Sequence, residues 1–83
     1  MINSSLLLSQ MKLRNVSTKA FADAQGWSIS TTYRKINGRT EFTQSEIQTT
    51  IALLSLDTAM ANEIFFALGM SYKTNSGGVL YGN

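Results

Sequence analysis

Residues 26–38 read Gly26-Trp27-Ser28-Ile29-Ser30-Thr31-Thr32-Tyr33-Arg34-Lys35-Ile36-Asn37-Gly38. Gly26 breaks a preceding helix, and the Ser28 hydroxyl suits the N-cap of a new one. Asn37-Gly38 is a stop signal of the kind that follows a last helical turn. The spacing therefore predicts a short helix from about Ile29 to Ile36. Thr32 and Ile36 lie four apart and share its inner face, with Ile29 at the edge. The helix displays Ser30, Thr31, Tyr33, Arg34 and Lys35, side-chain types that reach phosphates and base edges. Its inner face is only weakly apolar, so it needs packing against a neighbour to form.

Working upstream, Val16 leads into Ser17, a good N-cap for a helix through about Gln25, with Phe21 and Ala22 pointing inward. Two short helices joined by a Gly-containing turn, here residues 17–37, have the form of a helix-turn-helix. In that geometry the second helix enters the DNA major groove.

Charge points the same way. Residues 1–40 carry Lys12, Arg14, Lys19, Arg34, Lys35 and Arg39 against Asp23, a net of +5. Residues 41–83 carry Lys73 against Glu41, Glu46, Asp57 and Glu63, a net of −3. The total of +2 hides this asymmetry. A basic half is the electrostatic footprint of a phosphate binder, although six cations can also simply solvate a surface.

The flanking segments read as helices too, and the chain contains no Pro. Apolar residues recur at three and four throughout, which argues for an all-α, five-helix fold. The first helix is expected from about Asn3 to Arg14, capped by Asn3 or Ser4, with Leu7 and Met11 inward and Leu8 beside them. Thr43-Gln44-Ser45-Glu46 fits a capping box, and Phe42 with Ile47 fits a hydrophobic staple. Ile47, Ile51 and Leu54 continue as a core stripe. Leu56-Asp57 marks a break and a fresh N-cap. A fifth helix is expected to about Leu68, with Met60, Ile64 and Leu68 inward and Gly69 as its C-cap. Residues 1–72 are expected to form one domain and residues 73–83 a flexible tail.

The composition also narrows the chemistry. There is no Cys and no His, so thiolate sites, disulfides and the commonest general base are absent. Glu46 is explained by the capping box and Asp57 as an N-cap. No base stands beside the abundant Ser and Thr, and Gly77-Gly78 lacks the context of a phosphate loop. An enzyme is therefore not expected, nor a cofactor, metal or small-molecule ligand. No apolar run has the length of a membrane span, and Leu6-Leu7-Leu8 is too short for a signal-peptide core. A soluble, cytoplasmic protein is expected.

Residues 17–66 resemble the phage Cro/repressor helix-turn-helix family. The resemblance rests on the Tyr33-Arg34-Lys35-Ile36-Asn37-Gly38 motif, the run Glu41-Phe42-Thr43-Gln44-Ser45-Glu46-Ile47 and the Phe65-Phe66 pair. It implies a five-helix switch protein of the lysis–lysogeny type, in a bacterial host cell, acting on operator DNA or on the phage repressor protein. Carried over by position, it gives phosphate contacts to Thr18 and Lys19. It gives base-edge contacts to Ile29, Ser30, Tyr33 and Arg34, with Thr31 on the same helix. It gives backbone contacts to Asn37 and Arg39. Arg34 can pair bidentately with guanine and Ser30 can bond in either sense.

Ile29 departs from the family pattern, which often has a polar residue there. It is open to three readings: contact with a thymine methyl, closure of the helix–helix seam, or anchorage of a protein partner. The last fits an anti-repressor that binds the repressor's DNA-binding domain. Trp27 is expected to cover the junction of the two short helices rather than stack on DNA. Phe65 and Phe66 point about 100° apart on a helix, so one fills the core and the other reaches the rim. A homodimer through the last helix is one use for that exposed ring.

Overall fold

The computed structural model describes residues 2–66, and they form five α-helices with no strand among them: α1 (Ser4–Leu13), α2 (Thr18–Gln25), α3 (Ile29–Ile36), α4 (Gln44–Leu54) and α5 (Thr58–Phe65). Leu68, Gly69 and the tail 73–83 lie outside the described residues, as does the expected boundary at residue 72. No helix among the described residues is long and apolar enough to cross a membrane.

Each helix starts on a side-chain cap. Asn3, Ser17, Ser28, Thr43 and Asp57 accept from the backbone N–H groups of Leu6, Ala20, Thr31, Glu46 and Met60 respectively. Such caps satisfy donors that the helix itself leaves free. Asn3 rather than Ser4 caps α1. The Ser4 hydroxyl instead donates to the Ile36 carbonyl, tying α1 to the end of α3.

The first four helices also end alike. Asn15, Gly26, Gly38 and Ser55 take left-handed backbone conformations. In each case the following residue's N–H reaches back to the last turn: Val16 to Met11, Trp27 to Ala22, Arg39 to Arg34 and Leu56 to Ile51. This is the Schellman pairing, which recovers carbonyls stranded at a helix end. Gly fills two of the positions without a Cβ penalty.

Phe21, Leu7, Leu54, Ile64, Thr32 and Thr50 have no exposed surface, and Ile36 almost none. Burying each of the large apolar side chains contributes about 1.5–3 kcal/mol. Phe42 and Trp27 pack against this core from its edge. Leu8 corrects the sequence expectation: it is exposed, while Leu7 and Met11 are buried. The inner stripe of α1 is thus Leu7 and Met11 alone among these three, since a residue next to Leu7 is rotated about 100° from it. At the other end, Phe65 is buried and Phe66 exposed, as expected from their adjacency.

The helices pack as α1 on α5 and α3, and α2 on α3 and α4. α3 is therefore held from more than one side, although it is only eight residues long. That arrangement supplies the stability its own sequence lacks.

Candidate nucleic-acid interface

α3 divides sharply around its axis. Thr32, Lys35 and Ile36 are buried. Ile29, Ser30, Tyr33 and Arg34 are exposed, and Thr31 is half-buried. Thr32 keeps its hydroxyl satisfied inside by donating to the Ser28 carbonyl at 2.8 Å. Ile29 and Tyr33 retain 44% and 52% of their surface. Ile29 therefore sits at the edge of the seam: Thr32 and Ile36 fill the inner face, and part of Ile29 is covered while the rest faces outward.

Arg34 is oriented by its neighbours. Its guanidinium donates to Thr31 Oγ1 at 3.2 Å, and the Ser28 hydroxyl donates to the same oxygen at 3.0 Å. Asn37 closes the helix with its N–H on the Tyr33 carbonyl at 2.9 Å. The Arg39 N–H bonds the Arg34 carbonyl at 2.9 Å, so the loop folds back on the helix, with the Arg39 side chain exposed. Thr18, half-buried, and Lys19, exposed, open α2, which packs on α3. Lys19 Nζ donates to both carboxylate oxygens of Asp23, at 3.2 and 3.1 Å.

Lys35 is a second correction. It belongs by composition with the displayed cations, yet it is buried. Its Nζ donates to Glu46 Oε1 at 2.8 Å and to the Glu41 carbonyl at 2.6 Å, and lies 5.4 Å from the centre of the Trp27 ring. The charge that α3 offers to a ligand therefore comes from Arg34, and Lys35 is spent inward. The clue was in the spacing: Lys35 follows Thr32 by three, which turns it only about 60° from that buried side chain.

Glu46 does more than complete a capping box. Both halves of the box are formed, with Thr43 Oγ1 accepting from the Glu46 N–H and Glu46 Oε1 accepting from the Thr43 N–H. The same carboxylate also takes Lys35 and, through Oε2, the Trp27 indole N–H at 3.2 Å. Burial pushes the Glu46 carboxyl up. Hydrogen bonds from Lys35, the Thr43 backbone and Trp27, with the Lys35 charge, outweigh that and hold it below its usual value. Gln25 adds a further tie between α2 and α4, donating to the Glu46 carbonyl and to Thr50 Oγ1.

Trp27 has the covering role expected of it. Its ring meets Phe21 and Phe42 edge-on, at centroid distances of 5.7 and 5.5 Å. Phe42 continues to Phe65 at 5.1 Å. Such pairs are worth about 0.5–1.5 kcal/mol beyond their buried area. The turn before α3 and the loop after it are thus set on one aromatic cluster.

Among the described residues no group of three His, Cys, Asp or Glu side chains is placed to hold a metal ion. No family model, curated protein or solved structure matches the chain.

Proposed function

We propose that the chain is a DNA-binding transcriptional regulator of a phage lysis–lysogeny switch. α2, the turn at Gly26 and α3 act as a helix-turn-helix, and α3 reads operator DNA. The observation that carries this is the division of α3. One side is buried and tied to α1, α2 and α4, while the other exposes Ser30, Tyr33 and Arg34 together. No acidic residue interrupts Ile29–Ile36. A short, rigidly seated helix with a polar, cationic outer side is what groove recognition requires.

In this reading Arg34 takes a guanine edge and Ser30 an adjacent donor or acceptor. Thr18, Lys19, Asn37 and Arg39 position the protein on phosphates, which carry no sequence information. The Asp23 partner does not remove Lys19 from this role, because so exposed an ion pair is worth under about 1 kcal/mol and a phosphate competes with it easily. No cofactor takes part. A regulator of this kind reads paired half-sites as a symmetric dimer. The exposed Phe66 at the end of α5 is the surface assigned to that contact. Sedimentation of Phe66→Ser beside the wild type checks it, with loss of self-association as the expected result.

A second reading is favoured by one observation, the exposed apolar surface of Ile29 and Tyr33. It makes the chain an anti-repressor that covers the DNA-binding domain of the partner phage repressor. A gel-shift on switch-region DNA, with and without that repressor, separates the two. A shift by the chain alone supports the DNA reading. Loss of the repressor's shift, with none from the chain itself, supports the second.

A further inference from the structure

We infer that the Ile29–Tyr33 side of α3 reads the 5-methyl group of a thymine, beside the guanine contacted by Arg34. The inference rests on the DNA reading above. At about 100° per residue, Ile29 and Tyr33 fall within about 40° of each other on the helix, and Ser30 and Arg34 form a second lane about 100° further round. The exposed surface therefore has an apolar lane and a polar lane, side by side.

The major groove offers many donors and acceptors and one apolar group, the thymine methyl. An isoleucine pressed on any other base edge would strip water from polar atoms and return no hydrogen bond, which costs free energy. On a thymine methyl the same side chain buries apolar surface against apolar surface. Ile29 is suited to this by position and stiffness. It is the first residue of α3, at the end of a recognition helix that meets base edges. Its branched side chain has few rotamers to lose. Tyr33 extends the lane with its ring and keeps a polar tip. Charge complementarity selects DNA as the occupant: the exposed Arg34 borders the lane, Arg39 follows in the loop, and α3 has no carboxylate to repel a phosphate.

The test begins with selection of binding sites from a random-sequence duplex library by the whole chain. Arg34→Ala then identifies the guanine, as the base pair whose preference is lost. Affinities of wild type and Ile29→Ala are measured on the selected duplex with each neighbouring thymine changed in turn to uracil, which removes only the methyl. One such change should weaken the wild type about four-fold, the worth of a buried methyl-sized group. It should leave Ile29→Ala unaffected. Thermal unfolding should show Ile29→Ala folded and at most slightly less stable than the wild type, because much of the side chain is exposed. Enrichment without any methyl effect, or equal effects on both proteins, would overturn the inference and leave the DNA reading standing. No enrichment at all would overturn both. An Ile29→Ala protein that keeps full DNA affinity but loses the repressor would assign Ile29 to a protein interface.

Discussion

Two lysine–carboxylate pairs sit in neighbouring helices at similar distances, Lys19–Asp23 at 3.1 Å and Lys35–Glu46 at 2.8 Å. Their side chains differ in surroundings: 75% and 66% exposed in the first pair, 10% and 21% in the second. Water and salt screen the first, so it constrains little and leaves its lysine available to a ligand. The second joins α3 to the start of α4 and shares its carboxylate with Trp27 and the Thr43 backbone. Counting cations along the sequence treats the two lysines alike. Their burial assigns one to the outer surface and the other to the frame that holds α3.

The largest expected effect follows from breaking the inner pair. Glu46→Ala leaves Lys35 with only the Glu41 carbonyl and no carboxylate, and the Trp27 N–H without its acceptor, inside a partly closed site. Loss of one partner of a buried pair costs 3–5 kcal/mol, and the residual exposure here reduces that to about 2–3 kcal/mol. Thr43→Ala removes only the N-cap and should cost about 1 kcal/mol. Read from the capping box alone, the order is reversed, with Glu46 the smaller loss. Denaturant unfolding of both variants decides between the orders, and equal midpoints would break the comparison.

Acid sharpens it next. Because the folded protein holds the Glu46 carboxyl below its usual value, the pair's contribution is full above the ordinary carboxylate range, about pH 4.3 for an unfolded Glu. It is lost as pH falls through the lower folded value. As pH falls below about 5, the wild type should therefore lose stability more steeply than Glu46→Gln. Parallel profiles from thermal unfolding would show that Glu46 has no special interaction. Lys19→Ala gives the smallest change in stability, within about 0.5 kcal/mol. On the DNA reading it also lowers the salt slope of binding by about one unit, with equal loss on all sequences.

Much of the framework was legible because its signals are local. Ser17, Ser28, Thr43 and Asp57 announce helix starts, and Gly26 and Gly38 announce helix ends. Asn15 and Ser55 end helices in the same backbone conformation as those glycines, yet neither residue type demands it, so their role emerges only in the fold. Leu8 looked interior because it adjoins Leu7, whereas a one-residue step turns it outward. The candidate surface was legible in its members and not in its boundaries. Ser30 and Arg34 stand where helical spacing puts them. Lys35 left the set because Glu46, eleven residues on, supplies a buried partner. Glu46 looked fully explained because one of its two oxygens already had a local use. The exposure of Ile29 depends on how neighbouring helices close around α3, and no spacing rule at the edge of a helix fixes that.

The claim that the outer side of α3 reads DNA is tested most directly through Arg34. Affinities of wild type and Arg34→Ala should be measured by fluorescence anisotropy on a duplex selected by the wild type and on a scrambled duplex, at one salt concentration. Arg34→Ala should lose about 1–3 kcal/mol on the selected duplex, with preference relaxed at one base pair, and much less on the scrambled one. Equal losses on the two duplexes, or a wild type that binds both alike, would contradict the claim.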